Sequence, residues 1–371
     1  MHLSKFYPPD PGGMERVVAG LAEGAGSAGH EVRVISATGS GWNRPTGHRL
    51  TEPPRRSVTV VRLPTHGVLW SQPVAPAYIP AARWPADVVH VHHPHPLADV
   101  AALLGPNVPL VVTHHSDIQR QAIARPLYMP LIRAVLRRAR AIVVATASHL
   151  TSSRELRGFE RKVRVIPFGV EANRFSPPER AMRPPGFPAG PGPVGLFVGR
   201  LVGYKGLDVL LDAMAGTDLR MVLVGDGPER GDLERRAGAL GLGDRVTFLG
   251  ALGDDVLSSY YQAADYFVLP STTSAEMFGI VLLEAMACGR PIITTDLPTG
   301  VREVNVPDVV GLVVPRSDAG ALRQAMLRLA ADAELRRRLG GAGRKRVEER
   351  YTLTHMVDAH LALYREVVRA P

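Results

Sequence analysis

The sequence predicts an α/β protein with two facing Rossmann-like domains. Three observations carry this prediction. Short β-rich runs alternate with helical stretches, which is the order of a parallel, doubly wound sheet. The alternation stops at a segment rich in proline and glycine before residue 194 and then restarts. At 371 residues the chain is also too long for one ordinary core. The boundaries that follow are a first domain over residues 1–168, a linker over 169–193, a second domain over 194–350 and a final helical segment over 351–371.

Each element has its own justification. Leu3 sits too close to Met1 for a full first strand. A loop rich in proline and glycine follows, ending in Gly12 and Gly13, and leads into a helix over residues 14–28. Glycines at a helix N-terminus let main chain approach an anion closely. Residues 32–37, 58–63, 88–91, 110–113, 141–145 and 163–167 are the β-rich runs of the first domain. Residues 122–139 and 149–156 read as helices, and residues 39–56, polar and rich in Gly, Pro and Arg, as a loop. Residues 184–193 hold five prolines and three glycines and centre the linker. In the second domain, strands fall at 194–198, 221–224, 246–249, 266–269 and 291–295. Helices fall at 207–215, 229–240, 256–264 and from about residue 280. Residues 336–350 are highly charged and read as a solvated helix face, and the last helix covers 352–368.

Composition narrows the function classes. Hydrophobic content of 45% and a mean hydropathy of +0.01 describe a soluble globular chain. The single cysteine, Cys288, excludes an intramolecular disulfide and fits a reducing cytosol. No secretory signal and no run of 18 apolar residues is present, so the expected location is cytoplasmic. The net charge of +9 is carried by residues 1–171, with 20 Lys and Arg against 11 Asp and Glu. Arg133, Arg137, Arg138 and Arg140 cluster on one predicted helix, which favours peripheral contact with an anionic membrane surface. A GC-rich coding composition accounts for part of the arginine excess. No nucleic-acid motif accompanies it, and no nucleic-acid partner is expected.

Four constellations carry chemistry. Glu276 lies on the loop after strand 266–269 and Glu284 lies eight residues on, a turn inside the next helix. That edge of an open α/β sheet is where ligands bind. Two carboxylates beside the free amides of Phe278, Gly279 and Ile280 suit a ligand rich in hydroxyls, such as a sugar and a ribose. Arg200 and Lys205 stand five apart on a Gly-bounded loop after strand 194–198, a pairing suited to a departing diphosphate. Two more strands end in Gly225-Asp-Gly227-Pro228 and Leu249-Gly250. In the first domain, Thr113-His114-His115-Ser-Asp117 ends a strand, with His114 and His115 expected on opposite faces. The run His90, His92, His93 and His95 matches no zinc spacing and no Cys cluster supports one.

These motifs resemble the retaining glycosyltransferases of family 4, whose fold is called GT-B. The match runs through Gly199-Arg200…Lys205-Gly206, Gly225–Pro228, Thr113…His115 and Pro270-Ser271…Glu276-Met-Phe-Gly279…Glu284-Ala-Met-Ala-Cys-Gly-Arg-Pro291. Met277 stands where the family usually has glycine, and family chains usually begin a few residues before the equivalent of Met1. The resemblance implies a last helix that crosses back to the first domain. It implies that Arg200 and Lys205 neutralise the leaving diphosphate and that Glu276 and His115 act at the donor sugar. Glu284 would hold the ribose, Gly227 and Leu249 the base, and Phe278, Gly279 and Ile280 the sugar. Gly12 and Gly13 would face the diphosphate and the acceptor, and Asp117, His93 and His95 would line the acceptor side.

The implied reaction moves a hexosyl unit from a UDP- or GDP-sugar to an acceptor hydroxyl, forming an α-glycosidic bond. The implied co-substrate is a nucleotide sugar, with no cofactor. No Asp-x-Asp is present, so no metal ion is expected to hold the diphosphate. Residues 113–121 and 296–301 look like those of bacterial hexosyl- and mannosyltransferases acting on lipid-linked saccharides. The alternative is a tailoring enzyme that glycosylates a small polyol or aminocyclitol. A nucleotide-sugar epimerase and a non-catalytic nucleotide-sugar binder are the readings from other classes.

Overall fold

A computed structural model describes residues 1–10, 12–38, 50–51, 57–69, 72–118, 125–177 and 183–369. Gln119, Arg120 and Gln121, the end of one sequence phrase above, lie outside them, as does most of the loop expected over 39–56. The chain divides into two compact units. Met1–Gly169 and Leu353–Pro371 form the first, and Val170–Thr352 forms the second.

In the first unit the strands are β1 (His2–Leu3), β2 (Val32–Ala37), β3 (Leu50–Thr51), β4 (Val58–Leu63), β5 (Val68–Leu69), β6 (Gln72–Pro73), β7 (Val89–His93), β8 (Leu110–His114), β9 (Ala141–Val144) and β10 (Val163–Val165). Strands β5 and β6 make a small antiparallel ribbon. The others form one sheet in the order β10-β9-β8-β7-β1-β2-β4-β3, parallel except for β3. β1 is only two residues long, yet it pairs with both β2 and β7 at the sheet centre. Burial on both faces explains the near-continuous apolar runs Val32–Ala37 and Leu110–His114.

The helix Gly13–Ser27 buries Val17, Val18, Leu21, Ala22 and Ala25. It also packs on the last helix, Leu353–Arg369. Gly20 and Gly24, one turn apart, make that contact close. A Cβ on Gly20 would come within 2.8 Å of Leu353, and one on Gly24 within 2.4 Å of Val357. The last helix therefore belongs to the first unit. Of the four clustered arginines, Arg138 donates to the Pro106 carbonyl and Arg140 to that of Val367 at 3.0 Å. Arg133 lies over the Phe159 ring, and Arg137 is exposed.

In the second unit, β11 (Val194–Val198), β12 (Arg220–Val224), β13 (Val246–Gly250), β14 (Tyr266–Leu269), β15 (Ile292–Thr295) and β16 (Gly311–Val314) form an all-parallel sheet in the order β13-β12-β11-β14-β15-β16. Residues 170–177 and 183–193 have no regular structure, but polar contacts tie them to this unit. Arg220 donates to the carbonyls of Ala189 and Pro191, and Tyr260 to that of Pro185. Arg344 gathers the carbonyls of Ala172, Phe175 and Ala287.

Some elements went unanticipated in the sequence reading: β16 and the helices Tyr78–Ala81, Pro96–Leu104, Val301–Val304 and Ala319–Ala331. The charged helix runs Ala333–Arg350, capped by Asp332, and only part of it is solvated. Leu335, Leu339, Gly340, Gly343 and Val347 form a buried stripe. No helix among the described residues is long and apolar enough to cross a membrane.

Candidate active site

In the second sheet the chain order reverses between β11 and β14, and the loops leaving these neighbours carry the first group of site residues. After β11 a short 3-10 turn, Gly203–Lys205, folds Lys205 back towards the sheet. Gly206 then takes a left-handed conformation, φ 67°, where a Cβ would lie 2.2 Å from the Pro270 carbonyl oxygen. The two loops are also joined by the Thr272 amide, which donates to the Tyr204 carbonyl at 2.8 Å. This apposition brings Lys205 Nζ to 2.5 Å from Glu276 Oε2, although the residues are 71 positions apart. Ser271 Oγ donates to the same carboxylate oxygen at 3.1 Å. Both charged side chains are buried. Burial works against the charge on Lys205, but the Glu276 carboxylate outweighs it and holds the ammonium above its ordinary value.

Gly279, φ 76°, turns the chain into the helix Ile280–Ala287. One turn in, Glu284 is 2% exposed and accepts a 2.7 Å hydrogen bond from the Tyr261 hydroxyl. Tyr261 is fully buried and wedged against Phe175 and Phe267, so it fixes one carboxylate oxygen from behind. The carbonyl of Met277 is held by the Gly300 amide, and Phe278 packs edge-on against Tyr351. Arg200 is exposed on the loop that carries Lys205. The Gly225–Gly227 turn lies on the same loop. A Cβ on Gly225 would sit 1.9 Å from the Gly199 carbonyl oxygen, and one on Gly227 would sit 2.2 Å from that of Leu201. Leu249, near the end of β13, is half-buried.

His115, Asp117, His93, His95, Gly12 and Gly13 all lie in the first unit. His114 and His115 do point to different surroundings. His115 is partly buried, stacks on Phe168 and hydrogen-bonds His92 at 3.1 Å. Burial, reinforced by His92 and Lys5, pushes its pKa well below the ordinary histidine value, so it is neutral at pH 7. His114 is fully buried between His149 Nε2 at 2.9 Å and Glu155 Oε2 at 3.0 Å. His93 bonds Asp99 at 3.0 Å, and Tyr128 donates to the same Asp99 oxygen. Burial opposes a charge on His93, but Asp99 and Glu155 overcome it and raise its pKa to about 9. His93 and His95 are 1% and 0% exposed, and Tyr78 meets the His95 ring edge-on. Asp117 is held by Ser153 Oγ and the Arg154 amide.

At the start of the helix Gly13–Ser27, the Glu15 carboxylate folds back so tightly that a Cβ on Gly12 would clash with it at 1.9 Å. An anion approaching these amides meets that carboxylate, whose pKa burial raises to about 6.

The sequence reading passed over several residues. Lys5, on the loop after β1, has its pKa lowered by burial to about 8, with Glu15 and Asp99 partly opposing. A lysine directly after the first strand and ahead of the Gly-Gly loop was the available signal. Tyr261 and Glu155 offered none, because each acts on a partner supplied by the fold.

The family profile "Glycosyltransferase Family 4" matches residues 11–174, and "Glycosyl transferases group 1" matches 180–346. The chain is 32% identical to O-antigen chain mannosyltransferase C of Escherichia coli, covering 100% of this chain and 99% of that one. It is 37% identical to a D-rhamnosyltransferase of Pseudomonas aeruginosa, covering 88% and 85%. It is 32% identical to 2-deoxystreptamine glucosyltransferase of Streptomyces kanamyceticus, covering 77% and 79%. Among solved structures, sucrose-phosphate synthase from Thermosynechococcus elongatus superposes with a TM-score of 0.83 at 26% identity, covering 100% and 99%. An Anabaena protein solved in complex with UDP-glucose gives 0.76 at 18% identity, covering 98% of each chain.

Proposed function

The chain belongs to glycosyltransferase family 4 and has the GT-B fold; from that premise we propose that it transfers a hexosyl unit from a UDP- or GDP-sugar to an acceptor hydroxyl with retention of the α configuration. The buried Lys205–Glu276 pair at the reversal point of the second sheet, beside the Tyr261-braced Glu284, is the observation that supports this reading most.

In this reading Glu284 takes the ribose hydroxyls. Gly227 and Leu249 give the base its main-chain and apolar contacts. Glu276 and the amides of Phe278, Gly279 and Ile280 take the sugar. Lys205, shared with Glu276 before donor binds, and Arg200 neutralise the diphosphate as it departs. The C1–O bond to phosphate breaks, the C1–O bond to the acceptor forms on the same face, and the acceptor proton passes to the departing phosphate. Neutral His115 hydrogen-bonds a sugar hydroxyl or the leaving oxygen. No divalent ion is assigned to the diphosphate, because the two cations supply its counter-charge.

The acceptor reading favoured here is a saccharide growing on a lipid carrier, in line with the full-length likeness to the O-antigen mannosyltransferase. In this reading Asp117 orients that acceptor; His93 and His95, 1% and 0% exposed, are buried and do not line it, which corrects the expectation. A second reading, a small aminocyclitol acceptor, draws on the 2-deoxystreptamine glucosyltransferase and on the turning of Arg138 and Arg140 to internal carbonyls. The test is nucleotide release with UDP- and GDP-hexoses against both acceptor classes, followed by NMR of the product's anomeric proton. An α product from an α donor supports the reading. A β product rejects retention, and hexose isomerisation without transfer would make the chain an epimerase.

A further inference from the structure

One buried cluster in the first unit offers more ligand atoms than its hydrogen bonds use. His93 on β7, His114 on β8 and Glu155 each present one such atom, all within 4.8 Å of one another. His114 Nε2 stands 3.0 Å and His93 Nε2 3.6 Å from the same oxygen, Glu155 Oε2. Zinc with nitrogen and oxygen ligands at about 2.0–2.1 Å in a tetrahedron has ligand–ligand edges of about 3.4 Å. The observed separations bracket that edge. Asp117 Oδ1 lies 3.7 Å from His114 Nε2 but groups with His114 and His149 instead, so the trio His93, His114 and Glu155 supplies three protein ligands and leaves the fourth position to solvent. The Asp117 side chain is 19% exposed, against 0–1% for the other three, and marks the side from which an ion enters.

Two observations favour a bound ion over a self-contained hydrogen-bond network. His93 Nε2 is buried and makes no hydrogen bond within 3.5 Å, its nearest partner being Glu155 Oε2 at 3.6 Å, longer than a good hydrogen bond. Each imidazole is also gripped through its other nitrogen. His93 Nδ1 is held by Asp99, itself braced by Tyr128, and His114 Nδ1 by His149. Metal-bound histidines are held from behind in this way. The neighbouring trio His2, His90 and His92 differs, because five of its six ring nitrogens are already spent on one another, Tyr364, Thr113 and His115.

We infer that His93, His114 and Glu155 form a three-ligand site for one divalent transition ion, zinc or a close analogue. Two neutral imidazoles and the Glu155 carboxylate are its ligands, and Asp99, bonded to His93 Nδ1, adds a second negative charge close by. The ion ties β7, β8 and the segment around Glu155 together beneath the loop that carries Asp117. Its role is structural and separate from the diphosphate, whose cations lie in the second unit. Binding releases the protons the cluster holds, so affinity falls on acidification.

The test uses the full-length, tag-free chain, stripped with EDTA, loaded with ZnCl2 or CoCl2 and passed over a chelating resin. Elemental analysis is expected to find one ion per chain, and the cobalt form to show the strong visible bands of a tetrahedral site. Occupancy is expected to fall at least tenfold in Glu155→Gln and in His93→Asn and to stay unchanged in His2→Asn. Retention well below one ion per wild-type chain, or full occupancy in both cluster variants, would overturn the site. If those variants do not fold, wild-type stoichiometry and the cobalt spectrum decide: weak six-coordinate bands count against it.

Discussion

Lys205 and Glu276 hold each other buried before any ligand arrives, so removing either charge acts on stability as well as on chemistry. Lys205→Ala leaves Glu276 buried without its counter-charge, which costs about 3 kcal/mol or more. It also removes a preorganised contact to the leaving group, and turnover should fall on the order of 100-fold. The double variant Lys205→Met with Glu276→Gln should recover stability, measured by urea unfolding, while leaving nucleotide release slow. Recovery of activity along with stability would remove Lys205 from its role. Tyr261→Phe takes one charge-assisted hydrogen bond from Glu284 and should weaken donor binding by about tenfold, read by calorimetry. An unchanged dissociation constant would mean that the hydroxyl does not orient the carboxylate. At this scale the candidate site was legible where it is local: Glu276, Glu284, Arg200 and Lys205 sit on loops and a helix start whose spacing is visible in sequence. The partners were not. Tyr261 reads as an ordinary core aromatic 23 positions before Glu284, and Glu155 lies 41 positions from His114. Only folding brings these pairs together.

Elements explain why certain residues tolerate no change. The turn after β12 lies directly on the loop after β11, and Gly225 has a φ of 134° with the Gly199 carbonyl against it. Gly225→Ala should cost about 2 kcal/mol or more in denaturant unfolding. A wild-type midpoint would contradict the close approach. The last helix depends on a different chemistry. His360, pushed down by burial to about 4, and His90, held well below its ordinary value, pack in the histidine–tyrosine cluster beside Tyr364. Their folded pKa values lie below the unfolded value of 6.5. The unfolded chain therefore binds more protons between about pH 4 and 6.5, and stability falls as pH drops through that window. Each such histidine contributes about 1 kcal/mol per pH unit. Hydrogen exchange in Leu353–Arg369, corrected for intrinsic rates, should quicken from pH 7 to pH 5. Equal protection at both would show that these rings do not anchor the helix. Most of the parallel strands of both units were legible because buried parallel strands are written as apolar runs, whereas the short β16 was missed. The helix Pro96–Leu104 was masked by the histidine run before it. The charged helix hid its buried stripe among arginines, with two of the stripe positions being glycines.

For the whole molecule, the restart of the β–α pattern was legible from sequence periodicity, whereas the place of the last helix was implied only by the family resemblance; the glycine pair Gly20 and Gly24 gives the physical reason. The basic excess of the first half was harder to read. Arg138 and Arg140 look like surface charge in sequence but spend their donors on carbonyls of their own unit. Charge counts do not reveal that.

The central claim is that the second unit binds a nucleotide sugar through Lys205, Glu276 and Glu284 without a metal at the diphosphate. Calorimetry with UDP- and GDP-hexoses in excess EDTA tests it most directly, on the wild-type chain and on Glu284→Gln. One base is expected to bind at one site per chain, with affinity at least tenfold lower in the variant. Absence of binding by every sugar nucleotide to the folded wild-type chain, or equal affinity in Glu284→Gln, would contradict the account.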